Sequence, residues 1–440
     1  MKNKFWLKLI FLSLLIFLLC FIIQVNLIIA AFLLCLYTYM QLRKQGFKNY
    51  NLTHLTLLFL IMFTSAYFFT KKSLLMFYLP FSVLPMLTTL LFDDMEISFA
   101  ATLALAVSIA SISSRSFPLS IFYLLSGIAS SILVKGARKR IEIIKAGIIT
   151  GIIQAVSLIF IDGLWLALPI RYLLLLINGL ASSIIVLGVL PIFEYLFKTI
   201  TNVGLLELAD TSHPLLQRMA LEAPGTFHHS LTVGNLSENA CNAVGANGLI
   251  ARTGAYYHDI GKLTKAEYFS ENQNIHENKH ETLSPTMSKL VIMNHVKEGV
   301  DLAKKYKLNP MIIDFIKQHH GTSLVYYFYR RALENSEREE EVQEEIFRYP
   351  GPRPKTKETA IVLLADSTEA AVRVLKEPTP SKIREETHKI INDKFIDGQL
   401  NESNLALNDL EKISEVFIRI LTSIYHSRIS YPEPKNLPRS

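Results

Sequence analysis

The chain has 440 residues, half of them hydrophobic, with a formal charge of +7 and a positive mean hydropathy. Three cysteines, Cys20, Cys35 and Cys241, exclude a disulfide framework. In so apolar a chain, the positive surplus suits an anionic membrane surface more simply than a nucleic acid polymer.

Apolar runs follow one another from Phe5 to Phe197, and after about Thr199 the chain reads as a soluble protein. The break predicts a membrane domain over 1–198 and a second domain over 199–440. Cys20 closes the run "FLSLLIFLLC". No small residues precede it and apolar sequence follows, so the run reads as a retained membrane helix, not a cleaved signal. A spanning helix needs about 20 apolar residues. Eight candidates follow, at roughly 5–23, 26–43, 53–70, 74–92, 97–113, 117–134, 146–168 and 173–197. An even number puts both termini on one side. That side carries Lys2, Lys4, Arg43, Lys44, Lys48, Lys135, Arg138, Lys139, Arg140 and Lys145; the other carries Lys71, Lys72, Arg115 and Arg171. The bias predicts both termini in the cytoplasm. Asp162 is the main charged residue within a span. It is a functional-site candidate by default, but a place at the outer interface or beside a kink at Gly163 explains it more simply. No opposed set of acids and bases marks an ion path.

The second half reads as helical throughout, with no alternating strands and no glycine-rich phosphate loop, so the whole chain is expected to be all-α. Two helices flank "APGT", with Pro224 and Gly225 breaking the first and Thr226 capping the second. Others are expected at about 247–259, 284–306, 310–320, 356–376, 381–395 and 404–426. The charge run Glu334 to Glu345 predicts a solvated segment. "FRYPGPRPKTK" predicts an extended connection, either a plain linker or a basic rim for a phosphate-bearing ligand.

Eleven of the twelve histidines fall in this half. His213, His276, His280, His388 and His426 read as surface or capping residues. The others stand in distinctive places. His228 and His229 follow "APGT". His258 and Asp259 end a helix in "GAYYHDIGKL", where Gly261 reads as the helix stop. His295 lies mid-helix, and His319 and His320 end another helix. Asp366 lies in "IVLLADSTEAA", where a bare carboxylate is costly unless paired or metal-bound. Imidazole and carboxylate ligands suit Fe, Mn, Zn or Mg, and the lack of nearby cysteine argues against a structural zinc site. Two ions about 3.5–4 Å apart activate water and clamp phosphate oxygens. A carboxylate such as Asp259 can bridge them with its two oxygens, which an imidazole cannot do.

The order H…HD…H…HH…D resembles the HD-domain phosphohydrolases in their binuclear form. The strings "LLELADTSHPLLQRMALEAPGTFHHSLTVGNL", "GAYYHDIGKL", "QHHGTSLVYYFYRRA" and "FRYPGPRPKTKETAIVLLADSTEAAVR" resemble the seven-transmembrane HD proteins, the PgpH-type cyclic di-AMP phosphodiesterases of bacteria. The resemblance runs from the second span to the C-terminus. It implies an enzyme of the bacterial cytoplasmic membrane with its catalytic domain in the cytoplasm. It implies hydrolysis of cyclic di-AMP to pApA with two divalent ions, iron or manganese. His229, rather than His228, would join His258 and Asp366 on one ion; His295, His319 and His320 would hold the other; Asp259 would bridge. His258, Asp259 and Lys262 would be catalytic, with Lys262 as a candidate phosphate contact against the simpler reading of a solvated lysine. The tyrosines of "LVYYFYRRA" are base-stacking candidates, though a helical aromatic cluster more often joins a core. The family's branch that acts on cyclic di-GMP has a Gly-Tyr-Pro element after the paired histidines; here "GTSLVYY" follows. The family also carries a large extracytoplasmic domain between the first two spans, where this chain has only "QVN", Gln24 to Asn26. Another nucleotide substrate, or a nucleotide receptor without turnover, is the alternative. A homo-oligomer is compatible with the sequence.

Overall fold

In a computed structural model, residues 52–71, 76–112, 116–163, 169–273, 279–281, 283–336 and 342–425 are described, and no strand occurs among them. The spans expected at 5–23 and 26–43 lie outside these residues. The chain divides into two units, Met1–Gly204 and Leu205–Ser440.

The first unit contains α1 (Leu52–Lys71), α2 (Val83–Phe92), α3 (Met95–Ala110), α4 (Ser116–Val134), α5 (Arg140–Asp162) and α6 (Ile170–Phe197). Among the described residues, three stretches are long and apolar enough to cross a membrane: Phe117–Val134, Arg140–Asp162 and Ile170–Phe197. The span expected at 74–92 is broken. A 3-10 turn, Met76–Tyr78, precedes α2, and the backbone between them is not helical. Pro80 withholds an N–H there. Leu79, Phe81 and Ser82 are fully buried, and buried surroundings are what irregular backbone inside an apolar region requires. Asn178 Nδ2 donates to the Tyr78 carbonyl at 2.5 Å and Gln154 Nε2 to Ser82 Oγ at 3.3 Å.

The span expected at 146–168 starts and ends earlier, as α5. Glu142 accepts the backbone N–H groups of Arg138 and Lys139 at 2.8 and 3.3 Å, which starts the helix at Arg140. Gly163, at φ +79°, ends it. Asp162 Oδ2 accepts from Arg171 Nη2 at 2.9 Å, and this ion pair accounts for the acid. Small residues bring α5 and α6 together: a Cβ on Gly179 would lie 2.3 Å from the Gly147 carbonyl oxygen.

A short helix, α7 (Asn202–Leu208), leads into the second unit. There follow α8 (Pro214–Glu222), α9 (Pro224–Ala243), α10 (Gly248–Tyr257), α11 (Pro285–Lys305), α12 (Pro310–Gln318), α13 (Tyr326–Glu334), α14 (Lys357–Arg373), α15 (Pro380–Ile396) and α16 (Leu407–Tyr425). Pro224 and Gly225 open α9 instead of standing before it. Proline is pre-organised for the first helical position, so Ala223 is the N-cap and Thr226 falls inside the first turn. α14 packs against α9, α10, α12, α15 and α16, and Ala360 through Ala365 are fully buried. The unit is thus built around the helix that carries Asp366. On α13 Phe328 is buried, but Tyr326 and Tyr327 are 62% and 63% exposed. The tyrosine pair does not form the core cluster that its spacing suggested.

Candidate metal centre

Six elements of the second unit bring seven residues to one place. His229 sits in the second turn of α9. His258 follows the last residue of α10, and Asp259 starts the 3-10 helix Ile260–Tyr268. His295 lies in the middle of α11, His319 and His320 follow α12, and Asp366 lies on α14. Their donor atoms form two groups, each within 4.8 Å: His229, His258, Asp259 and Asp366, and Asp259, His295, His319 and His320. Asp259 belongs to both. Its Oδ2 faces His258 Nε2 at 3.2 Å and His229 Nε2 at 3.7 Å. Its Oδ1 faces His295 Nε2 at 3.3 Å and His319 Nε2 at 3.6 Å. Asp366 Oδ1 lies 3.0 Å from His229 Nε2, and its Oδ2 lies 3.6 Å from His320 Nδ1.

Three of the imidazoles are aimed by their own helices. Each donates Nδ1–H to the carbonyl three residues earlier: His258 to Ala255 at 2.6 Å, His295 to Ile292 at 2.5 Å and His319 to Ile316 at 2.9 Å. A carbonyl only accepts, so Nδ1 carries a proton in each ring and Nε2 is the ring atom that faces the centre. His295 Nε2 and His319 Nε2 stand 3.1 Å apart. Donor atoms sharing one ion at the usual 2.0–2.2 Å lie about 3–3.6 Å from each other. His258 Nε2 and Asp259 Oδ1 are buried and make no hydrogen bond. Buried polar atoms without partners are costly. Two inward Nε2 atoms at contact distance and two orphaned buried atoms fit a divalent cation.

The charges balance without one. Burial alone would raise the Asp259 carboxyl, but His258 and Lys262 beside it hold it well below the ordinary range. Burial disfavours the His258 cation, yet Asp259 and Asp366 outweigh that and push the imidazole up to about 10. His295 is held down at about 4, because burial, with His319 and Lys262 adding to it, outweighs the attraction of Asp259. Cation loading needs the His258 lone pair, so its proton must leave. Metal uptake near pH 7.5 is therefore expected to release about one proton or more per chain, and affinity should rise with pH. Calorimetric titration in buffers of different ionisation enthalpy measures this, and uptake without proton release would rule it out. The metal-free protein has the matching pH dependence. The contribution of protonated His258 is full below the free imidazole value of 6.5 and is lost as pH rises through about 10.

Several neighbours had no sequence signal strong enough to single them out. Glu369, one turn beyond Asp366, accepts from His229 Nδ1 at 2.5 Å and from the Tyr425 hydroxyl at 2.9 Å. Such a carboxylate behind a ligating imidazole fixes its ring. Only the three-residue spacing from Asp366 could have pointed to it. Tyr349 stacks on His320, with ring centroids 4.2 Å apart. It lies in the proline-rich connection, whose basic residues are partly engaged elsewhere: Arg348 binds Asp397 at 2.9 Å and Lys357 binds Asp409 at 2.6 Å. A free basic rim is thus not formed by these two. Lys262 is not a solvated lysine. Its Nζ lies 2.7 Å from Asp259 Oδ2 and 2.7 Å from Glu271 Oε1.

Gly261 has a different role from the expected helix stop. It is not among the glycines with positive φ. A Cβ on it would lie 1.8 Å from the His295 carbonyl oxygen and 2.5 Å from the Gly299 nitrogen. The glycine lets the 3-10 helix with Asp259 at its start touch the backbone of α11.

Residues 6–201 match the family described as a 7TM receptor with intracellular HD hydrolase, and residues 226–371 match the HD domain. The chain is 43% identical over 323 residues to the cyclic-di-AMP phosphodiesterase PgpH of Bacillus subtilis, spanning 72% of this chain and 45% of that protein. It is 37% identical over 399 residues to the cyclic-di-AMP phosphodiesterase PgpH of Listeria monocytogenes, spanning 89% and 54%. The chain thus spans about half the length of the curated relatives it matches. A crystal structure of the Listeria monocytogenes PgpH HD domain with cyclic-di-AMP is 45% identical, with a TM-score of 0.47 over 50% of this chain and 100% of that one.

Proposed function

The chain belongs to the family of 7TM receptors with an intracellular HD hydrolase, and from that premise we propose that it is a membrane-anchored, metal-dependent phosphodiesterase that opens cyclic di-AMP to pApA. The observation that carries the reading is the pair of donor groups sharing Asp259. One carboxylate with an oxygen toward each group is the arrangement a two-ion site needs. His229, His258 and Asp366 would hold one ion, His295, His319 and His320 the other, and Asp259 both. Divalent ions held there would lower the pKa of water and neutralise charge on a phosphate.

The chain's own residues supply the rest. The 258, 295 and 319 imidazoles are fixed before any ligand arrives, so little reorganisation accompanies catalysis. Glu369 fixes His229. Lys262 stands where an ammonium can meet a phosphate oxygen. His320, with a side chain 23% exposed against 1% or less for His258, His295 and His319, marks the side open to solvent and substrate. Tyr349 walls that side. The membrane unit, with both ends on the cytoplasmic side by its charge bias, would hold this centre at the inner face of the cytoplasmic membrane.

The test uses the full chain in detergent micelles, loaded with manganese or iron. It is incubated with cyclic di-AMP, cyclic di-GMP and nucleoside triphosphates. The expected result is metal-dependent pApA from cyclic di-AMP, with lower turnover of the others. Full metal loading with no cleavage of any dinucleotide would refute an enzymatic role. Faster cleavage of another nucleotide would refute the substrate.

A further inference from the structure

We propose that Glu271 is a positioning residue for Lys262: it keeps the lysine ammonium at the metal centre once Asp259 gives its carboxylate to metal ions. The inference rests on the phosphodiesterase reading above.

Lys262 Nζ touches Asp259 through Oδ2, the oxygen that also faces His258 and His229. The ammonium and an ion of that group therefore compete for one atom. When a dication takes it, Lys262 loses one of its two carboxylate partners and stands beside added positive charge. Uncompensated, that charge would drive the lysine out. Among the described residues, Glu271 is the other acid within ion-pairing distance of it.

Glu271 is fixed for this task. Its side chain is 7% exposed, and Thr226 Oγ1 donates to its Oε1 at 3.2 Å. The next residue is fastened to the same threonine: Asn272 Oδ1 accepts from the Thr226 N–H at 3.1 Å, and Asn272 Nδ2 donates to Thr226 Oγ1 at 2.9 Å. The Glu271 carbonyl oxygen fills the place of a side chain at Gly225, 1.8 Å from where its Cβ would be. The segment is thus fastened to the first turn of α9, the helix of His229. Phe269 closes another side, with Nζ 5.0 Å from its ring centroid. The ammonium is left to exchange Asp259 for another anion while Glu271 holds it. A phosphate oxygen of the substrate is the anion this arrangement fits.

The test is a double-mutant cycle on the full chain in micelles: Glu271→Gln, Lys262→Met and both together, read by manganese affinity of the metal-free protein and by kcat for cyclic di-AMP. Glu271→Gln should weaken manganese binding about tenfold, a typical effect of a supporting residue, and lower kcat about 10²-fold. In the double variant manganese affinity should return to the wild-type range, because the unpaired ammonium is gone. Its kcat should equal that of Lys262→Met alone, since coupled residues do not add. Multiplicative losses in kcat, or manganese affinity that stays low in the double variant, would overturn the proposal. If Glu271→Gln alone does not fold, the double variant still decides: it must fold and bind manganese normally. Should the wild type bind manganese but cleave no dinucleotide, the enzymatic reading falls while the manganese cycle still tests the Glu271–Lys262 coupling.

Discussion

Asp259→Asn is expected to lower cyclic di-AMP hydrolysis by at least about 10³-fold and to leave the protein with less than its full metal content. One preorganised electrostatic contact is worth about 10²–10³ in kcat, and here the activation of water is lost as well. The amide has nearly the same shape, so packing is retained. What changes is the second anionic oxygen. Asp259 offers Oδ2 to one donor group and Oδ1 to the other, and an amide has only one oxygen to give. Lys262 keeps Glu271 as a counter-ion, so the substitution does not strand its charge. Elemental analysis of the purified full chain, beside pApA production, reads both effects. A variant with unchanged metal content and activity within tenfold of wild type would remove Asp259 from the bridging role.

The second large effect is expected at a residue without any functional group. Gly261→Ala places a methyl 1.8 Å from the His295 carbonyl oxygen, 2.5 Å from the Gly299 nitrogen and 2.8 Å from the His295 carbonyl carbon. All three are backbone atoms, so no rotamer change relieves the clash and α11 must retreat. His295 retreats with it. Overpacking of this kind destabilises by about 1–3 kcal/mol, and a displacement of about 1 Å at a reacting centre can cost about 10²-fold in rate. Gly299→Ala is the comparison, since its Cβ meets Ile316 Cγ2 at 2.8 Å and reaches backbone, the Gly261 nitrogen, only at 3.2 Å. Thermal melting and manganese affinity should fall much further for Gly261→Ala than for Gly299→Ala. Equal effects would show that the backbone contact is not what places His295.

Much of this was legible in the sequence because it depends on composition and local spacing. Apolar runs marked Ser116–Val134 and Ile170–Phe197 to within about three residues, while Arg140–Asp162 lies about six residues earlier than expected; the apolar stretch around Asp366 marked a carboxylate that needed compensation. The order of His and Asp residues, with the family resemblance, pointed to the seven residues that the fold brings together. What was missed depends on contacts across the fold. The break at Leu79–Ser82 had a local mark in Pro80, but the partners that let it be buried, Asn178 and Gln154, lie far along the chain. Glu271 carries no local mark at all. Gly261 was visible but misread: a glycine after a helix suggests a stop, and only the neighbouring helix shows that it is a gap. Thr226 was misread because a good capping residue sat beside a proline that starts helices better.

The three imidazoles that bond to carbonyls three residues back have a consequence for how such a centre can arise. In the folded protein their aim is set within a single helical turn. Half of the job of building the centre is thereby written into short prefabricated pieces of chain. Tertiary structure then brings the pieces to one point and adds His229, His320 and two carboxylates. Rotamer freedom that would otherwise be lost on binding an ion is already given up in the folded protein.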